Sequence, residues 1–384
     1  MEDVIACCAA AFAASLLLAA ALTPLARRLA LASNLVAEVR PDRLHREPRP
    51  YGGGLAIAAT LAIMATLAIT AAAQWVVLAI GHATIAAWLP ADEIEAAQVL
   101  LGRLAAGGLY FFVIGILDDR YTLSPWRKLF LQFLGATMMV NIFDFRAALP
   151  LDSAALVQAI SILWIVAVVN AYNMFDHADG LAAAVGIVAL VALGFCQMML
   201  SEWLVPLAAL AAAGALAGFL IYNFPPAKLF MGDAGSSLVG YLLAVLTLAA
   251  VYNGRYLPNS FADGYAALVG PALLAVPLFD MVCVIVSRLV RRENPLRGDA
   301  TSHLAHRMLA RGWRPREIVI FPALLAAVTG LAATMIGDID GFGFALDAEE
   351  LLPAVLLVVL ALGMMLIARH FPRVEKMPRV EKQP

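Results

Sequence analysis

Two adjacent carboxylates, Asp118 and Asp119, follow a long apolar run. Two acids at the end of such a run are costly unless they meet a cation, a metal ion or water. The pair suits a general base or metal-dependent phosphoryl transfer, because one carboxylate can orient a group while the other accepts a proton. A solvated helix end beside Arg120 is the simpler alternative.

Four oxygen-bearing side chains recur at every third position before Gly180, namely Asn170, Asn173, Asp176 and Asp179. On a helix, residues three apart are neighbours on one face and drift by about 60° per step. Hard oxygen donors at this spacing favour Mg²⁺ or sugar hydroxyl groups. Helix capping and solvation of a loop would explain the same residues without a ligand.

The segment 230–236 contains a single acid, Asp233, among small residues. Small residues let backbone amides approach a phosphate, and the acid could hold a metal ion. Alone this pattern is weak, because a turn in which Asp233 caps the next helix has the same sequence.

Two histidines at a spacing of three, His303 and His306, precede Arg307. They share a face of a short helix, and together with Arg307 they could bind a diphosphate. A zinc site would need a third ligand, which this pair does not supply. Exposure without any ligand is the alternative.

The elements that must position these residues are apolar helices. Hydrophobic residues make up 63% of the 384 residues and charged residues 14%, against about 45–50% and about 25% in soluble domains. The net charge of −2 argues against binding of nucleic acid. Apolar windows of about 20 residues predict an all-α polytopic integral membrane protein with about eleven transmembrane helices. The predicted spans are 4–26, 54–80, 97–117, 129–143, 154–172, 181–200, 203–222, 237–252, 265–287, 318–337 and 351–368.

The distribution of Lys and Arg predicts the orientation in the membrane, because positively charged loops stay in the cytoplasm. It places the N-terminus outside and the C-terminus in the cytoplasm. Residues 1–370 then form one transmembrane domain, and residues 371–384 form a cytoplasmic tail that we expect to be disordered. Every polar segment described above, and the segment 43–54, falls on the cytoplasmic face.

In their order along the chain, these segments resemble the motifs of the polyprenyl-phosphate N-acetylhexosamine-1-phosphate transferases, glycosyltransferase family 4. This family includes the WecA/TagO and MraY types, and the resemblance covers nearly the whole chain. The matching segments are 45–53, 118–120, 170–181, 223–236 and 302–307.

The resemblance implies transfer of a sugar 1-phosphate from a UDP-sugar to undecaprenyl phosphate, with release of UMP and with Mg²⁺, or Mn²⁺ in its place, as cofactor. It implies that Asp118 and Asp119 activate or position the lipid phosphate and that Lys128 clamps phosphate oxygens. Asp233 would be the principal Mg²⁺ ligand, with Asn173 as a second. Direct displacement and a covalent aspartyl intermediate both remain open.

The same resemblance assigns further residues to substrate binding. They are His45, Asn170, Asp176, Asp179, Lys228, His303, His306 and Arg307. Among them, Asp176 and Asp179 resemble residues of either the nucleotide-sugar site or the metal site. It implies a multi-pass protein of the bacterial inner membrane whose active site faces the cytoplasm. The sequence is also compatible with a homodimer.

Two departures from the family motifs bear on sugar preference. His177 stands where the motif Asp-Gly-X-Asp-Gly has its first glycine, and Ala305 replaces the middle histidine of His-X-His-His. The motifs favour the WecA/TagO branch with UDP-GlcNAc as substrate. The alternatives are UDP-MurNAc-pentapeptide or another UDP-N-acetylhexosamine.

Two other classes of protein remain as alternatives. A transporter would use acids within the membrane, and Asp280 lies inside an apolar run. A structural partner on a neighbouring helix would explain Asp280 nearly as well. A membrane scaffold that had kept the fold and lost activity would be expected to lack Asp118, Asp119 or Asp233, and all three are present.

Overall fold

The computed structural model describes residues 2–37, 49–81, 91–147, 149, 151–199, 203–252, 262–294 and 303–337. Three features of the sequence analysis lie outside these ranges, namely His45, the predicted span 351–368 and the tail 371–384.

Within the described ranges, the chain forms twelve α-helices and one antiparallel ribbon of two short strands. The helices are α1 (Glu2–Ala32), α2 (Gly53–Gly81), α3 (Ala91–Tyr121), α4 (Pro125–Asn141), α5 (Ala154–Phe175), α6 (Leu181–Met199), α7 (Leu204–Asn223), α8 (Gly232–Tyr252), α9 (Ala262–Leu273), α10 (Ala275–Val290), α11 (Leu304–Ala310) and α12 (Pro315–Gly337). The strands are β1 (Val36–Ala37) and β2 (Arg49–Pro50), with Val36 paired to Pro50.

The chain is an all-α multi-pass membrane protein, as the sequence predicts. Eight of the described helices are long and apolar enough to cross a membrane, namely α1, α2, α3, α5, α6, α7, α8 and α12. The predicted span 129–143 corresponds to α4, which has only 17 residues. The predicted span 265–287 is divided between α9 and α10, because Pro277 has no backbone N–H to donate to Leu273. The total of eleven spans and the orientation of the termini stay predictions.

The helix α8 is the centre of the bundle. It packs against α2, α3 and α5, and its membrane-spanning part is almost completely buried. The buried ring of Tyr241 in α8 stacks on the ring of Phe111 in α3, with ring centroids 5.1 Å apart. Since Asp233 lies in the first turn of α8, the most buried of the eight described membrane-spanning helices carries a candidate site residue.

Two glycines allow neighbouring helices to approach the beginning of α8 very closely. A Cβ atom at Gly115 of α3 would lie 2.3 Å from the Cα of Ala234. A Cβ atom at Gly54 of α2 would lie 2.4 Å from the backbone nitrogen of Gly235. Backbone atoms cannot rotate away as a flexible side chain can, so any larger residue would push α8 from its place.

We expect Gly115→Ala to lower the unfolding temperature in detergent, at a cost of about 1–3 kcal/mol for overpacking. Gly102→Ala is the matched control, because Gly102 lies on the same helix and a methyl group added there would meet no heavy atom of the described residues within 4 Å. That control should be as stable as the parent protein or slightly more stable, since alanine favours helix. Thermal unfolding followed by circular dichroism compares the two, and equal unfolding temperatures would contradict the close packing.

Candidate active site

The ammonium group of Lys128 contacts three oxygen atoms from three different helices. Its Nζ lies 2.6 Å from Oδ2 of Asp118, 2.9 Å from Oδ1 of Asp233 and 3.0 Å from Oδ1 of Asn173. Lys128 lies in α4 and Asp118 in α3, whereas Asp233 lies in α8 and Asn173 in α5. We call these four residues the lysine cluster. The structure therefore brings together predicted site residues from three separate motifs.

The lysine cluster keeps its ammonium group charged. Burial by itself disfavours the charge on Lys128, but the nearby carboxylates of Asp233 and Asp118 outweigh burial and raise the pKa of Lys128. The side chain of Lys128 is 14% exposed and that of Asp233 is 37% exposed. A phosphate can therefore reach the cluster from the side of Asp233.

Asp119 anchors the beginning of α8. Its Oδ1 accepts a hydrogen bond from the backbone N–H of Asp233 (2.9 Å), and its Oδ2 accepts one from Ala234 (3.0 Å). The first amides of a helix have no partner within the helix, so this carboxylate satisfies two of them. Gly232 makes the turn possible with a φ of +74°, and a Cβ atom there would lie 2.8 Å from Asp119 Oδ2.

Asp118 holds the turn between α3 and α4 while it contacts Lys128. Its Oδ1 accepts a hydrogen bond from the backbone N–H of Leu123 (2.8 Å), and its other oxygen faces the ammonium group. Both oxygens of each member of the acidic pair are thus engaged by groups of the protein. Asp118 and Asp119 have different tasks in the structure, although they are neighbours in the sequence.

The two asparagines of α5 donate hydrogen bonds to different partners. Asn173 donates hydrogen bonds to Oδ1 of Asp233 and to Oγ of Ser236. Asn170 lies about one turn earlier and donates to Oε1 of Gln132 (2.7 Å), which connects α5 to α4. Asn173 therefore belongs to the lysine cluster, whereas Asn170 supports the packing of the helices that form it.

Asp179 joins the loop after α5 to the segment before α8. Its Oδ2 accepts a hydrogen bond from the backbone N–H of Ala227 (2.9 Å) and lies 3.5 Å from Nη1 of Arg49. Arg49 also donates to the carbonyl oxygen of Ala227. Oδ1 of Asn223 accepts a hydrogen bond from Gly180 (2.9 Å) across the same junction.

Arg49 and Asn223 are site residues that the sequence analysis did not assign. Arg49 stands between two prolines in a predicted cytoplasmic segment, and Asn223 opens the motif segment 223–236. A charge between two prolines and an amide at the end of a long apolar run were the signals that could have indicated them.

The predicted histidine segment meets the loop after α5. The ring centroids of His177 and His303 are 4.4 Å apart, and those of His177 and His306 are 5.9 Å apart. Burial, and then the neighbouring His303, lowers the pKa of His177 to about 3, so this imidazole is neutral at physiological pH. Burial likewise lowers the pKa of Arg307.

Asp280 has a structural partner, as one of the two interpretations of this acid predicted. Its Oδ2 lies 2.7 Å from Nδ1 of His303, and its Oδ1 accepts a hydrogen bond from the backbone N–H of Leu304 (2.7 Å). Two further predicted residues are placed less centrally. Asp176 follows the last residue of α5, and the side chain of Lys228 is exposed.

The lysine cluster has donors that fit a hard divalent cation. Asp233 offers a carboxylate that is more than one-third exposed, and Asn173 offers a carbonyl oxygen beside it. Carboxylate and amide oxygens are ligands that Mg²⁺ prefers, usually together with phosphate oxygens of a substrate. The cluster also contains an ammonium group for a phosphate, so it combines both requirements for phosphoryl transfer.

Comparison with known proteins gives a consistent result. The profile of Glycosyl transferase family 4 matches residues 101–251, which include all four residues of the lysine cluster. A probable undecaprenyl-phosphate N-acetylglucosaminyl 1-phosphate transferase of Bacillus subtilis is 29% identical over 333 residues, 85% of this chain and 84% of its own length. A decaprenyl-phosphate N-acetylglucosaminephosphotransferase of Mycolicibacterium smegmatis is 31% identical, over 81% of this chain and 78% of its own length. A phospho-N-acetylmuramoyl-pentapeptide-transferase of Streptococcus thermophilus is 31% identical over 37% of this chain and 46% of its own length. Together with the motifs that converge around Lys128, these similarities place the chain in glycosyl transferase family 4.

Proposed function

We propose that this protein transfers N-acetylglucosamine 1-phosphate from UDP-N-acetylglucosamine to undecaprenyl phosphate, giving a lipid-linked diphospho-sugar and UMP. The observation that carries the proposal is the convergence of Asp118, Asn173 and Asp233 on Lys128 at helix ends. The names of the Bacillus subtilis and Mycolicibacterium smegmatis relatives support the sugar and the class of lipid. Such a reaction is the first membrane step in the synthesis of a cell-surface polysaccharide.

The reaction exchanges one diphosphate bond for another. An oxygen of the lipid phosphate attacks the phosphorus that bears the sugar and forms a new P–O bond. The bond from this phosphorus to the bridging oxygen breaks, and UMP leaves with the electron pair. A phosphate monoester has its second pKa near about 6, so the lipid nucleophile is already largely dianionic at neutral pH. Strong base catalysis is therefore unnecessary, and positioning and charge stabilisation are the main requirements.

Lys128 is the group that clamps phosphate oxygens in this proposal. Its charge is maintained by Asp118 and Asp233, and it would donate a hydrogen bond to a phosphate oxygen that replaces one of its three present partners. Asp118 positions Lys128, and Asp119 positions Asp233 through the beginning of α8. Because both oxygens of Asp118 and of Asp119 are already engaged, the geometry favours direct displacement over a covalent aspartyl intermediate.

Asp233 and Asn173 are the residues that would hold Mg²⁺. The bound ion would neutralise charge on the diphosphate and on the leaving UMP. The residues of the chain would orient the two substrates around this position. The exposed Lys228 and the segment that contains His303, His306 and Arg307 are proposed to contact the nucleotide sugar, together with Asp176 and Asp179.

The membrane explains why the proposed catalytic groups lie at helix ends. The long isoprenoid chain of the acceptor stays in the lipid, whereas its phosphate must remain at the interface with water. Asp118 lies in the last turn of α3, Asp233 in the first turn of α8, and Asn173 in the last turn of α5. Following the distribution of Lys and Arg, we propose that this end of the helices faces the cytoplasm of a bacterial inner membrane, where UDP-sugars are available.

The first test uses purified protein in detergent with undecaprenyl phosphate, Mg²⁺ and a panel of UDP-sugars. We expect UMP release and a lipid-linked product with UDP-N-acetylglucosamine, and loss of both after addition of EDTA. Asp233→Asn removes one carboxylate charge at nearly constant volume, and we expect it to abolish product formation. Absence of product from every UDP-sugar, in protein shown to be folded, would contradict the proposed reaction. Product from another UDP-sugar alone would exclude UDP-N-acetylglucosamine as the substrate.

Lys128→Gln tests the phosphate clamp. We expect kcat to fall by about 100-fold or more, because removal of one preorganised donor costs about 10²–10³ in rate. Arg127→Gln is the matched control, since Arg127 is the adjacent basic residue and is exposed on α4. The control should retain kcat within a few-fold. Similar losses of kcat in the two variants would show that overall positive charge, and not the position of Lys128, supports the reaction.

A further inference from the structure

His177 has a buried ring nitrogen that no hydrogen bond satisfies. Its Nδ1 lies 3.0 Å from the carbonyl oxygen of Met174. A carbonyl oxygen can only accept, so Nδ1 carries the proton and Nε2 has a lone pair. Nε2 is buried and has no hydrogen-bond partner among the described residues. An unsatisfied buried acceptor is costly, which indicates that another group belongs at this position.

Asp280 and His303 lie close to the imidazole ring of His177. Both side chains are almost completely buried, with 3% and 7% of their surface exposed, and they contact each other at 2.7 Å. One ring nitrogen of His177, one ring nitrogen of His303 and one carboxylate oxygen of Asp280 all lie within 4.8 Å of one another. His177 lies in the loop after α5, Asp280 lies in α10, and His303 directly precedes α11. We call them the buried triad.

The buried triad has the composition of a transition-metal site. Two imidazoles and one carboxylate are a ligand set used for zinc, with water in the fourth position. Bonds of about 2.0–2.2 Å in a tetrahedral site place the ligand atoms about 3.4 Å apart. The ligand atoms therefore need to approach one another by up to about 1.4 Å at their widest separation, which rotation of a side chain can provide.

We propose that His177, Asp280 and His303 bind one divalent transition-metal ion of the Zn²⁺ class. Imidazole ligands favour such ions over Mg²⁺, which prefers oxygen. The site shares no residue with Asp233 and Asn173, so it is separate from the proposed magnesium position. His303 would bind the ion as a neutral imidazole, through one ring nitrogen, and would keep its single proton on the other.

A bound ion would connect three segments of the chain. It would join the loop 176–180, which bears Asp179, to α10 and to the histidine segment. Binding to the folded state alone increases its stability by mass action. The proposal depends on His177, which occupies a position where the resembled family motif has glycine, and it does not depend on the proposed transferase activity.

The experiment uses the full chain in detergent, without an affinity tag and after removal of metal by a chelator. Co²⁺ is the spectroscopic probe, titrated in the presence of excess Mg²⁺. We expect one Co²⁺ per chain to give the visible absorption bands of a tetrahedral site, and Zn²⁺ to displace it. Zn²⁺ should also raise the unfolding temperature. Absence of these bands in folded protein would overturn the proposal.

Two variants compare histidines that lie close together. His177→Gln should weaken Co²⁺ binding at least tenfold and abolish the stabilisation by Zn²⁺. His306→Gln is the matched control, since its ring contacts His177 but is not part of the buried triad, and it should bind Co²⁺ as the parent protein does. Asp233→Asn should also keep Co²⁺ binding, which separates this site from the magnesium position. Loss of Co²⁺ binding in His306→Gln with retention in His177→Gln would contradict the proposed ligands.

Discussion

The first turn of α8 holds the groups of the candidate active site in place. A helix that begins inside a bundle exposes backbone amides that must find partners, because water is scarce there. The carboxylate of Asp119 provides two of these partners, and Gly54 and Gly115 let α2 and α3 approach the same turn. This turn carries Asp233, whose Oδ1 contacts both Lys128 and Asn173.

Burial of a charged lysine is unfavourable, and here oxygen atoms from three helices compensate for the lost contact with water. Three oxygens surround its ammonium group at distances of 2.6–3.0 Å, and each comes from a different helix. An arrangement of this kind is sensitive to small shifts, since electrostatic interactions in a poorly hydrated site change strongly with distance. The close helix contacts at Gly54 and Gly115 hold the first turn of α8 in place. They therefore also hold Asp233 at its distance from Lys128.

The polar segments were identifiable in the sequence because charge is rare in an apolar chain, and the structure confirms that several of them meet. Asp118, Asn173 and Asp233 are all among the predicted site residues, and all three contact Lys128. The different contacts that Asp118 and Asp119 make were not predictable from the sequence. Asp118 and Asp119 are adjacent and chemically identical, and only the direction of each side chain decides that one contacts Lys128 and the other caps α8. Arg49 was missed for a different reason, because its partner Asp179 is 130 positions away in the sequence.

Hydropathy was enough to predict the all-α membrane class and the set of polar segments, because these are local properties that a linear chain displays directly. The residues of these segments carried the resemblance to the family, which the comparisons with known proteins confirmed. Which polar groups meet is a matter of helix packing. The folded chain pairs Asp280 with His303 and places His177 close to both. Lys128 contacts a different set of residues, namely Asp118, Asn173 and Asp233. Such contacts depend on how helices far apart in the chain pack and rotate, and no local pattern encodes that rotation.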